Sequence, residues 1–237
     1  MALKSLLFSF ALLIMMGGTV VRADDLNISV PSASLSASGV NFGTFTVSAA
    51  GSTGVFAPLV GTSGTIKNLS FTTTTPLNQS FLLTSFITFA SNPNLSLDLT
   101  FIHLGIEGQS QCSQPPAVGQ SCTPAFPALV TPANPLGLSP YNFTNTATGS
   151  AMSFLVAGNY VNGGVSTPFQ GVFSTQFNVA YQTILSNLGD GTFSASLGGS
   201  FTPNAAAVPE PTTLLLLGTG LVGIAAKVKR RKKQSRV

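Results

Sequence analysis

The sequence predicts an all-β fold, an antiparallel β-sandwich or jelly roll, flanked by an N-terminal signal helix and a C-terminal transmembrane helix. Three observations lead there. Between residues 24 and 207, short runs of β-branched and aromatic residues are split by Gly, Pro, Asn and Ser. No helix-period segment of useful length competes with them, and strands without βαβ alternation argue for antiparallel layers. An apolar run lies towards each end of the chain, a basic cluster closes it, and the middle is almost free of charge.

At the N-terminus, Lys4 precedes an uncharged apolar run of eleven residues, 6–16, closed by Gly17-Gly18. Val21-Arg22-Ala23 then offers modest residues at the positions a signal peptidase reads. The run is too short to span a bilayer comfortably. It predicts a signal peptide over 1–23 and a mature chain starting at Asp24, and without a twin-Arg pair the general export route is favoured.

The body, 24–207, is long enough to bury a core without help from disulfides or metals. Candidate strands are 41–48, 64–72, 81–89, 95–104, 151–157, 171–181 and 192–201. Phe173, Phe177, Val179 and Tyr181 share one parity, and Ser174, Gln176 and Asn178 take the other. Phe193, Ala195 and Leu197 repeat that pattern. Leu95, Leu97, Leu99 and Phe101 share one parity while Ile102, Leu104 and Ile106 take the other, which predicts a β-bulge near Phe101-Ile102. The run 81–89 is apolar on both faces and predicts a central, covered strand. Residues 183–188, closed by Gly189, read as a single helical turn, and Leu188-Gly189-Asp190-Gly191 as a turn.

Seven prolines fall within 109–142, so a long loop is expected there, one that something must pin. In an exported chain, Cys112 and Cys122, with nine residues between them, predict one disulfide. A metal site needs more ligands than the single histidine, His103, can supply.

The formal charge of +4 suggests a nucleic-acid partner only at first sight. Seven of the ten basic residues lie in the last eleven positions. Within 24–207 the charges are Lys67 against Asp24, Asp25, Asp98, Glu107 and Asp190, so the body offers no phosphate-binding surface.

The tail, 208–237, has three parts in order. Val208-Pro209-Glu210-Pro211 excludes helix, because each proline fixes φ and restricts the residue before it. Residues 212–226 form an uncharged apolar run with four consecutive leucines, and a Lys/Arg cluster follows. The positive-inside tendency keeps that cluster cytoplasmic and the body outside, in agreement with the signal peptide. As a helix the run reaches only about 23 Å, against a hydrocarbon core of roughly 30 Å. Such a span reads as a temporary hold.

In this order the motif, the run Thr-Thr-Leu-Leu-Leu-Leu-Gly-Thr-Gly-Leu-Val-Gly and the basic cluster resemble the PEP-CTERM sorting domain of Gram-negative bacteria. The resemblance implies recognition by a membrane-embedded exosortase with a cysteine nucleophile, removal of the tail, and delivery to the cell surface or matrix. It also implies an association with exopolysaccharide. Glu210, with its flanking Pro209 and Pro211, would be the recognition element after Val208, as substrate and not as catalyst. Part of the body is similar to other PEP-CTERM proteins at Pro168-Phe169-Gln170-Gly171-Val172-Phe173-Ser174-Thr175-Gln176-Phe177, and more faintly at Ser139-Pro140-Tyr141-Asn142-Phe143-Thr144. That second likeness implies no named activity.

Catalytic signals are sparse. A serine triad would need His103 with Asp98 or Glu107, without a Gly-x-Ser-x-Gly elbow to seat the serine. A glycosidase pair drawn from Asp98, Glu107 and Asp190 has no motif behind it. The expectation is a non-enzymatic, cofactor-free surface or matrix protein, structural and associated with exopolysaccharide. Its partners would be signal peptidase, exosortase, the membrane through its C-terminal helix, and no nucleic acid. The alternative is a carbohydrate-binding module, for which Tyr141, Tyr160 and Tyr181 are the available tyrosines.

Overall fold

The computed structural model describes residues 24–204. The expected signal peptide over 1–23, and the motif, apolar run and basic cluster of 208–237, lie outside them. The described chain runs β1 (Leu26–Ser36), β2 (Gly39–Phe42), β3 (Thr44–Val47), β4 (Ser63–Ile66), β5 (Leu69–Ser70), β6 (Leu83–Phe89) and β7 (Asn92–Ile102). It continues through β8 (Ser121–Cys122), β9 (Asn142–Thr146), β10 (Gly149–Asn162), β11 (Val165–Phe177), helix α1 (Tyr181–Asp190) and β12 (Thr192–Pro203). Short 3₁₀ turns occupy Gly54–Leu59 and Pro127–Leu129.

The body is mostly β, as expected, but its layers are not those of a sandwich or jelly roll. The pairings run β11-β12-β1-β3-β4-β6-β7-β10 and return from β10 to β11, closing an eight-stranded antiparallel barrel. Two long registers make the closure. β1 lies along β12, from Leu26 opposite Phe201 to Ser36 opposite Thr192. β10 and β11 pair without interruption from Ser150 opposite Phe177 to Asn162 opposite Val165. The Gly163-Gly164 turn between them has both φ angles positive, the geometry a two-residue hairpin requires. One closed sheet removes the edges that two stacked sheets would leave.

Two small flaps extend the barrel at its joins. β2 and β5 continue from the C-terminal half of β1, and β9 and β8 from the N-terminal half of β10. Tyr141, just before β9, is fully buried and its hydroxyl lies 3.0 Å from the Ser36 carbonyl and 3.1 Å from that of Gly39. One phenol thus ties the two flaps together, and burial pushes its pKa far above the ordinary tyrosine value.

Eight strands enclose just enough space for side chains to fill, and here leucine and phenylalanine dominate the filling. Phe173 is fully buried and meets Phe154 in a stack at 5.0 Å, Phe42 at 5.1 Å, Phe201 at 5.4 Å and Phe86 at 6.2 Å. Gly171 and Gly199 make room for this packing, since a Cβ on Gly171 would run into the Phe201 ring and one on Gly199 into Ile28. Large and small residues alternate around a taper in this way.

The expected bulge is present. Opposite β10, the register passes from Phe101–Ala157 to Leu99–Gly158, skipping Thr100. Leu95, Leu97 and Leu99 point inward before it and Ile102 after it. The two-sided apolar run resolves differently from the expected covered strand. Ser85 adopts φ 49° and the register shifts between Leu83 and Ile87, so Phe86 and Ile87 are both buried while Leu82 is exposed. The runs 41–48 and 64–72 are each broken, at Gly43 and at Lys67-Asn68. The single turn expected at 183–188 is a ten-residue helix that passes through Gly189, so the turn expected at Leu188-Gly189-Asp190-Gly191 is helical up to Asp190.

Candidate functional site

Cys112 and Cys122 form a disulfide with Cα atoms 5.2 Å apart. The proline-rich loop is held by more than that bond. Tyr181 at the start of α1 donates its hydroxyl to the Gln111 carbonyl at 2.8 Å, and Gln182 donates to that of Gln114 at 3.1 Å. Asn145 accepts the Tyr181 backbone N–H at 3.0 Å and donates to the Gln182 side chain at 3.1 Å. Further along, buried Asn134 bridges the Leu129 and Leu138 carbonyls and takes the Leu138 N–H.

These amides hold the loop in place, so removing the disulfide should loosen the unfolded chain more than it distorts the folded one. We expect the double variant Cys112→Ser, Cys122→Ser to keep its fold and lose about 2.5–3 kcal/mol, the loop-closure value for a ring of this size. Urea denaturation checks this, and a midpoint equal to that of the parent chain would refute it.

The candidate catalytic groups are dispersed. His103 is half-buried, packed edge-on to Phe101 with centroids 4.8 Å apart. Asp98 lies five residues earlier on β7 (about 15 Å along a strand) and accepts the Ser85 N–H at 2.7 Å, which caps the irregular backbone there. Among the described residues no hydrogen bond joins the His103 ring to Asp98 or Glu107, and no three His, Cys, Asp or Glu residues cluster as a metal site. The side chain of Asp190 lies outside the description.

The three tyrosines are also engaged. Tyr141 and Tyr181 are fully buried. Tyr160 packs on Phe56 and donates to the Asp24 carboxylate at 2.8 Å. Asp24 also accepts the Val55 N–H at 3.1 Å, so the residue expected to begin the mature chain is part of the barrel's own bonding. Burial thus closes Tyr141 and Tyr181 to a sugar, and Tyr160 is half-buried with its hydroxyl engaged by Asp24.

What the barrel wall does present is a cleft of about 270 Å³ between the loop after β7 and the outer face of β9-β10-β11. Sequence reasoning missed it. Register places its residues in rows: Asn142, Ser153 and Ser174 lie side by side, as do Thr144, Ala151 and Gln176. Glu107 stands at the rim. Alternation on β11 could have marked Ser174 and Gln176 as outward, but only the fold brings them beside Asn142 and Glu107.

β12 ends at Pro203, and the Asn204 N–H is anchored on the Pro168 carbonyl at 2.9 Å. Only Ala205 and Ala206 separate this end of the described body from residues 207–231, which match the PEP-CTERM protein-sorting motif. That motif implies an exported protein, held in a membrane and processed by an exosortase before it reaches the cell surface. Among the described residues no helix is long and apolar enough to cross a membrane. No curated protein and no solved structure matches the chain.

Proposed function

We propose that this chain is a non-enzymatic component of the cell surface or extracellular matrix of a Gram-negative bacterium, structural in role and associated with exopolysaccharide. The match to a sorting motif directly after the folded body carries this reading, because it makes the barrel a cargo. The barrel's character supports it. Its interior is filled with leucine and phenylalanine, and Asp24 and Asp98 serve backbone or tyrosine donors. His103 packs against a phenylalanine far from Asp98, which favours an architectural part over a hydrolase.

Material recovered from the surface matrix tests the proposal by intact mass. The expected species starts at Asp24 and lacks the basic tail, and it co-fractionates with the polysaccharide. Recovery of the full-length chain, or its confinement to the inner membrane, would overturn the reading. A carbohydrate-binding module is the second reading. The tyrosines lend it no support, and the outer cleft is the feature that favours it.

A further inference from the structure

We propose that the cleft on the outer wall of β9-β10-β11 binds a neutral, hydroxyl-rich ligand the size of one hexose, a unit of a neutral polysaccharide. The inference rests on the surface-protein reading above and adds the site and its chemical preference.

The argument begins with Asn142. Its side-chain oxygen accepts the Ile106 N–H at 2.8 Å, the Thr123 hydroxyl at 2.9 Å and the Glu107 N–H at 3.4 Å. Three donors on one atom fix which end of the amide is oxygen and leave the –NH₂ end as a donor pair. They also fix the loop after β7. Thr123 accepts the Glu107 N–H at 3.0 Å, and at Gly105 a Cβ would collide with both Thr123 and Asn142. Glu107 is therefore carried on a tightly held backbone at the rim.

The floor is Ala151, a small outward residue with Thr144 on one side and Gln176 on the other. Ser153 and Ser174 lie opposite each other in the next outward row. Among the described residues the side chains of Glu107, Ser153, Ser174 and Gln176 make no hydrogen bond with the protein. The amides of Asn134, Asn145, Gln120 and Gln182, by contrast, are all spent on holding the loop. The cleft gathers one carboxylate, two hydroxyls and two amide groups with hydrogen-bonding capacity to offer.

Their chemistry selects the ligand. The Glu107 carboxylate and the Gln176 side-chain carbonyl accept from hydroxyls, while the Asn142 and Gln176 –NH₂ groups donate to ring and hydroxyl oxygens. Nothing cationic lines the cleft. Lys67, the one Lys or Arg of the described body, donates to the Thr84 carbonyl at 2.7 Å. Uronates, phosphates and nucleic acids would meet Glu107 with no positive charge to offset it. A volume of about 270 Å³ suits one sugar ring, not an extended drug-sized ligand.

The test uses the full chain in detergent on beads carrying dextran, mannan or galactan, with alginate beads as the anionic counterpart. The chain should be retained by at least one neutral polysaccharide and not preferentially by alginate. Glu107→Gln and Gln176→Ala should each weaken retention about tenfold, the value of one charge-assisted or well-placed hydrogen bond. Thr65→Val, on the outer face of β4, should leave it unchanged. Failure on all three neutral beads, stronger retention by alginate, or parental retention of both variants would overturn the inference. If the chain reaches the matrix but the variants bind normally, the cleft assignment falls and the surface reading stands. If the chain never leaves the inner membrane, the surface reading falls and the beads still decide the cleft.

Discussion

Phe173→Ala is expected to cost the barrel about 4 kcal/mol, within the range for deleting a buried aromatic ring. Phe173 is fully buried, and four other rings, Phe42, Phe86, Phe154 and Phe201, lie within 6.2 Å of its centroid. Truncation removes its own burial and also one partner from each of those pairs, each worth about 0.5–1.5 kcal/mol beyond its area. The hole cannot close readily. Phe173 sits on β11, which is zipped to β10 along its length and joined to β12, so the backbone around it has no free edge to collapse inward. Against a total stability of roughly 5–15 kcal/mol for a domain, such a loss puts folding at risk.

Phe193→Ala supplies the comparison. Phe193 is half-buried and pairs with Phe177 at 5.3 Å outside the Phe173 cluster, so its truncation should cost less than about 2 kcal/mol. Urea denaturation measures both. The Phe173 variant should unfold at a much lower midpoint with an unchanged slope. Equal losses from the two variants would show that the interior is not organised around Phe173.

The sequence reveals the local rules of this fold better than its closure. Parity on β7 exposes the bulge, because a slip of one residue reverses every side chain whatever the sheet becomes. Alternation on β11 and β12 is equally visible. A sandwich and a barrel impose the same inward–outward alternation, however, and differ only in which distant strands meet. The pairing of β1 with β12, the first strand with the last, leaves no trace in a local pattern.

β1 itself is hidden by Pro31, since a proline inside a run argues against a strand. The register shift between Val30 and Ala33 leaves Pro31 and Ser32 out of the ladder, where the missing N–H does no harm. Tyr181 reads as the end of a strand because Phe177 and Val179 share its parity. Its N–H is taken by Asn145 from another part of the chain, and that distant cap lets a helix begin there. The cleft was illegible for the same reason. Asn142, Ser153, Ser174 and Glu107 come from four segments that only the barrel aligns. The disulfide was legible because two cysteines in an exported chain have few other uses.

The second large effect falls on sorting. Glu210→Ala should leave the protein in the inner membrane, with its tail uncut, at the expense of nearly all surface delivery. Between Asp190 and the basic cluster the chain carries no other acidic side chain, so Glu210 is the one side-chain carboxylate of the tail. Prolines at 209 and 211 restrict the backbone on both sides of it, which presents the carboxylate with little conformational entropy left to lose on recognition. The variant removes the charge and keeps that stiffness. Among the described residues the last hydrogen bond is that of Asn204, six residues earlier, so the folding of the barrel should be untouched, and the urea midpoint of the retained protein should match that of the parent. Fractionation and intact mass separate the outcomes. A membrane-held chain that starts at Asp24 and keeps its Lys/Arg tail is the expected product. A Glu210→Ala chain delivered to the surface and trimmed as usual would mean that the carboxylate is not what the processing enzyme reads.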